Sequence, residues 1–160
     1  MAERSVPGEG RGPDAGDLLR LRDDDPVADP AVTVDALAGQ PDALAVRLEP
    51  DDDARDLLPR LATLRLVEVS FPSFGDGRGY SSARLLREHG YTGELRAVGD
   101  VLVDQLAYMR RCGFDAFAPD AMLDEAEVKA ALTRWPEVYQ AAADRRTPIW
   151  ALRHGPAAAG

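Results

Sequence analysis

Cysteine, lysine and histidine are nearly missing from this sequence. Its 160 residues hold one cysteine (Cys112), one lysine (Lys129) and two histidines (His89 and His154). A lone cysteine makes no internal disulfide and supplies neither an iron–sulfur cluster nor a Cys-rich zinc site. The histidines have no partner at metal-ligand spacing, so both are assigned to the surface and no metal site is expected. No run approaches the ~18 apolar residues of a membrane span, and the N-terminus lacks a basic-then-apolar leader. The expectation is a soluble, cytoplasmic protein with no membrane partner. A basic face is missing too. With 28 acidic and 19 basic side chains the net charge is −9, which argues against nucleic-acid binding. The P-loop and the GxGxxG fingerprint are also lacking, and no cofactor is expected.

The length fits one domain, large enough to bury a core without metal or disulfide staples. Charge is uneven: residues 1–60 carry 15 acids and 7 bases, whereas 61–160 carry 13 and 12. Residues 1–17, rich in Gly and Pro, are read as a disordered lead-in, 18–41 as an N-terminal arm and 155–160 as a frayed tail. Residues 42–154 are read as a single α/β domain. Within it, strand patterns at Ala43–Pro50, Leu64–Ser70, Glu94–Gly99 and Phe114–Pro119 alternate with helical patterns at Ala54–Leu64, Tyr80–Gly90, Val101–Gly113 and from Asp124 to Arg134. Such alternation predicts consecutive βα units and a parallel sheet of about four strands.

The strands alternate rather than being apolar throughout. Leu44, Val46, Leu48, Val67, Val69, Leu95, Ala97, Phe114 and Ala116 are assigned to one face, and Arg47, Glu68, Arg96 and Asp115 to the other. Strands buried under helices on both sides lack this pattern. With right-handed crossovers the helices fall mainly on one face. The sheet would then be a half-barrel, its charged face concave, and closure would take a second subunit.

The stretch most suggestive of chemistry is FPSFGDGRGYSSARLLR, Phe71–Arg87, which joins a strand end to a helix start. Ligands bind there in parallel sheets and barrels. Its glycines allow close backbone approach, and free N–H groups at a helix start favour an anion. Ser73, Gly77, Arg78, Gly79, Tyr80 and Arg84 would form a pocket for a small oxyanion: sulfate, sulfite, phosphate or carboxylate. The competing reading is a long turn with Ser81 or Ser82 as the helix cap. Asp76 and Asp100 are the candidate acid/base pair, although Asp100 also suits an N-cap for a helix beginning at Val101. Asp104 and Gln105 lie one turn further on, and Arg96 would assist in gripping the anion. Cys112, at a helix end, is expected to be buried and unreactive. Trp135, Tyr139 and Trp150 are expected to cover the core.

The run FPSFGDGRGYSSARLLREHGYTGELRAVGDVLVDQLAYMRRCGFDAF, Phe71–Phe117, closely resembles a bacterial family catalogued as domain of unknown function 934. WPEVYQ, Trp135–Gln140, extends the resemblance more weakly, and residues 1–30 lie outside it. Members are described as oxidoreductases of sulfite reduction because they lie beside assimilatory sulfite reductase. The resemblance therefore implies an accessory protein of sulfur assimilation and cysteine supply, with sulfite reductase or its electron donor as partner. Two other readings stand beside it: a small enzyme acting on an anionic substrate, and a homodimer built on the charged sheet face.

Overall fold

The computed structural model describes residues 18–134. They form a six-stranded sheet of β1 (Leu19–Arg20), β2 (Val32–Thr33), β3 (Ala45–Leu48), β4 (Leu66–Phe71), β5 (Glu94–Gly99) and β6 (Ala116–Pro119). The spatial order is β1-β6-β5-β4-β3-β2, parallel from β2 to β6, with β1 antiparallel on the far edge. The helices are α1 (Val34–Leu37), α2 (Arg78–Glu88), α3 (Leu106–Cys112) and α4 (Glu125–Thr133).

The consecutive βα reading holds, with two more strands than expected. Both extra strands come from the arm and are two residues long, too short for any period to show. They pair because the sheet offers them an edge.

Alternation along β3–β5 sorts the two faces. Val46, Val67 and Leu95 lie in register, as do Leu48, Val69, Ala97 and Phe117. Both rows join one core with Leu57, Ala83, Leu86, Leu106, Met109 and Cys112 from the connecting segments. The helical segments after β3, β4 and β5 thus cover one face, as consecutive right-handed crossovers require.

β6 departs from the expected phase. Ala116 pairs with Arg96 and so lies on the charged face, whereas Phe117 pairs with Ala97 and points into the core. Phe114 reaches the core from outside the strand. Asp115 is consequently displaced from the charged row. Its carboxylate instead accepts from Arg87 of α2 at 2.9 Å, from Arg22 at 2.7 Å and from the Leu95 amide at 2.9 Å.

Two helices also differ from expectation. Ala54–Arg60 is a 3₁₀ helix with Pro59 inside it, since proline supplies no N–H to an α ladder. The predicted helix at Val101 begins later, as a 3₁₀ turn at Val103–Gln105 that runs into α3. The last helix starts as predicted, with the Asp124 side chain accepting from the Glu127 amide at 2.9 Å. Cys112 is buried and His89 exposed, as expected. Among the described residues no helix is long and apolar enough to cross a membrane. The lead-in, Trp135, Tyr139, Trp150, His154 and the tail lie outside the described residues.

Candidate functional site

Three loops meet at the carboxyl edge of the sheet, after β4, β5 and β6. Backbone bonds knit them together. Asp100 N donates to Phe71 O at 2.8 Å, and Asp120 N donates to Gly99 O at 2.8 Å. Side chains finish the join. The Asp100 carboxylate accepts from the Phe74 amide at 3.0 Å. Gln105 donates to Phe74 O at 2.7 Å and accepts from the Leu102 amide at 3.1 Å. Asp100 therefore does not cap a helix. It and Gln105 hold the loop after β4 against the loop after β5, and between them they fix the backbone of Phe74.

The glycine-rich loop has its own internal charge pair. Gly77 is the N-cap of α2 and provides no side-chain bond; neither Ser81 nor Ser82 occupies that position. Asp76 takes the role, accepting from the Arg78 amide at 3.0 Å. Its carboxylate also binds the Arg78 guanidinium at 2.8 Å, and Asp51 from the loop after β3 binds it at 2.6 Å. The Arg78 hydrogen bonds hold the Asp76 carboxyl below its ordinary range. Asp76 is thus ionised at neutral pH and has no proton to donate.

The structure does not gather the other candidates around this loop. Gly79 admits no side chain, because a Cβ there would lie 2.5 Å from Phe71 Cζ, so this glycine serves helix–strand packing. Tyr80 packs between Phe71 and Tyr108, its ring tilted to both at centroid distances of 5.5 and 5.2 Å, and burial raises its hydroxyl pKa. Arg84 lies over Tyr108. Ser73 accepts within its own turn from the Gly75 amide at 3.4 Å, and Asp104 is exposed.

Arg96 is on the other face of the sheet, in an ion ladder that crosses it. Arg47 binds Glu68 at 2.7 Å, and Arg96 binds Glu68 at 3.2 Å and Glu94 at 2.7 Å. Arg20 of the arm completes the row on Glu94 at 2.8 Å. Glu94, not Asp115, is the member that sequence reasoning missed. Glu68, Glu94 and Arg96 are 4%, 1% and 5% exposed, so the row is satisfied within one chain.

What the carboxyl edge does present is apolar surface within acidic surroundings. Phe74 is 52% exposed, Leu102 40% and Met122 89%, one from each of the three loops. Around them stand Asp51, Asp76, Asp100, Asp104 and Asp120, with Arg78 already held by two of these. Phe74 was legible in principle: an aromatic inside a turn of Gly, Ser and Asp has no period that would bury it.

A family model described as "Bacterial protein of unknown function (DUF934)" matches residues 45–150. The chain belongs to this family. The match opens on the first residue of β3 and takes in β3–β6 with all three carboxyl-edge loops, leaving the arm outside. No curated protein and no solved structure matches the chain. For this DUF934 protein, then, the carboxyl edge is part of the family's common body.

The Asp100 tether yields a direct prediction. Asp100→Ala is expected to cost about 1.5–3 kcal/mol, the value of a hydrogen bond to a charged group. Hydrogen exchange at the Phe74 amide should accelerate well beyond that at β5. Unchanged exchange there would mean that the carboxylate does not hold the loop.

Proposed function

We propose that this protein is an accessory protein of assimilatory sulfite reduction that docks on sulfite reductase through its carboxyl edge. The link to sulfite reduction rests on the family resemblance. The docking reading is carried by one observation: Phe74 is exposed yet held at both its N–H and its C=O by Asp100 and Gln105. An exposed aromatic carried on a backbone already held is the kind of anchor that dominates protein interfaces, since little backbone entropy remains to be lost on binding. The acidic surroundings favour a basic partner surface and speed its encounter.

The same charge disfavours the oxyanion reading. Arg78 is held by two carboxylates, and Asp100, Asp104 and Asp120 stand on the same edge. A sulfite ion would have to displace Asp51 against that field. The proposed role is therefore positional: the chain holds or orients its partner and moves no proton itself.

The test is retention of sulfite reductase by the immobilised full-length protein. Phe74→Ser is expected to weaken retention by about tenfold or more, as for an interface anchor. Circular dichroism should be unchanged, because the side chain is exposed. Raising ionic strength from about 0.05 to about 0.5 M should weaken retention further. Retention indifferent to both, or none at all, would reject the docking surface. A sulfite-selective thermal shift lost in Arg78→Ala would favour the oxyanion reading instead.

A further inference from the structure

The arm has a second consequence at the opposite, amino edge of the sheet. Arg22 Nη1 donates to Thr92 O and to Gly93 O, each at 3.2 Å, and to Asp115 at 2.7 Å. Its Nε and Nη2 hold Asp24 at 2.8 and 2.7 Å. Together with Arg20 on Glu94, these bonds stitch residues 20–24 across the turn between α2 and β5. An open cleft of about 550 Å³ lies there, between the arm, the 3₁₀ segment after β3 and that turn. Its volume falls within the range of small-molecule sites.

Most charges lining the cleft already have partners. Asp24 is held by Arg20 and Arg22, and Glu94 by Arg20 and Arg96. Two do not. Among the described residues the Arg65 guanidinium and the Asp25 carboxylate make no ion pair or side-chain hydrogen bond. One cation and one anion without a protein partner, both exposed, therefore line the same cleft, beside an apolar wall of Val27, Leu58 and Leu61. A dianion would meet repulsion from Asp24, Asp25 and Glu94. A simple amine would leave Arg65 unanswered.

We propose that this cleft binds a small zwitterion of the α-amino-acid type. Its carboxylate pairs with Arg65, its ammonium with Asp25, and its aliphatic body lies on the wall. Arg22, Asp25 and Val27 precede the family match, whereas Leu58 and Arg65 fall inside it. The site is thus completed on the family body by this chain's own arm. It is independent of the docking reading and lies at the other end of the strands.

Three probes sharing one carbon skeleton test the assignment: leucine, 4-methylpentanoate without the ammonium, and isoamylamine without the carboxylate. Calorimetric titration of the full chain should rank leucine first, with each singly charged analogue weaker by about fivefold or more. Amide shifts should map to Gly90, Thr92 and Gly93, and not to Phe74. Arg65→Gln should cut leucine affinity by about tenfold or more and leave isoamylamine unchanged, whereas Asp25→Asn should cut leucine and isoamylamine affinity and leave 4-methylpentanoate unchanged. Ala62→Phe, at an exposed position on the cleft wall, should block leucine without touching either charge. Absence of leucine binding, unchanged affinity in Arg65→Gln, or 4-methylpentanoate binding as well as leucine would each overturn the assignment. Phe74→Ser should leave leucine binding intact, so the two readings fail separately.

Discussion

Arg96→Met is expected to destabilise the protein by about 3–5 kcal/mol, the range for removing one partner from a buried ion pair. The guanidinium reaches both neighbours, with Nη1 on Glu68 Oε1 at 3.2 Å and Nε and Nη2 on Glu94 Oε1 at 2.9 and 2.7 Å. Without it, Glu68 keeps Arg47 and Glu94 keeps Arg20, but each loses the cation on its inner oxygen. Both residues are under 5% exposed, so water does not easily take the vacated place. At ~2 kcal/mol per molar urea the midpoint should fall by about 2 M. The triple variant Glu68→Gln, Glu94→Gln, Arg96→Met should cost less than the single one, because it leaves no charge uncompensated in the middle of the row. A single-variant loss below about 1 kcal/mol would show that solvent reaches the ladder.

Gly99→Ala is expected to cost about 2–5 kcal/mol, combining backbone strain with overpacking. Gly99 has φ +104°, a region L-residues rarely enter, and a Cβ there would lie 2.5 Å from Phe71 O and 3.1 Å from Phe71 C. Those are backbone atoms of a paired strand, so they cannot swing aside as a side chain would. Phe71 O also accepts the Asp100 amide that joins the two loops, so the disturbance should extend to Phe74. Gly77→Ala is the matched control: φ is −86° and nothing lies within 4 Å of its Cβ. It should stay within about 1 kcal/mol of the parent. At about 2–4 °C per kcal/mol, thermal melts should separate the pair by roughly 10 °C. Equal melting temperatures would mean that the loop junction relaxes freely.

Much of the fold could be read from the residues alone. The sequence pattern gives β5 its observed bounds, because Glu94–Gly99 lies between turn signals and alternates in its first four residues. Arg47, Glu68 and Arg96 were placed side by side because a period of two, applied to neighbouring strands, leaves one register that buries the apolar row. β6 broke the pattern because Phe114 and Phe117 are three apart, and only pairing with β5 decides which of them counts as strand. Glu94 shares the period-two face of Arg96 and was legible in principle; only its second partner, Arg20, 74 residues away, depends on the fold.

The candidate site was less legible. The sequence pattern marks the loop with Asp76, Asp100 and Gln105 and groups Arg78, Arg84 and Arg96 by shared charge, whereas the structure puts Arg96 on the other face of the sheet. Local pattern thus determined the four strands β3–β6, their parallel order and the two faces of β3–β5, because periodicity and turn chemistry act over a few residues. The tertiary structure decided which carboxylate each arginine meets, which aromatic stays in water, and where the arm lines a cleft. Those outcomes depend on distances between residues far apart in the chain, and an arginine side chain is long enough to reach several partners.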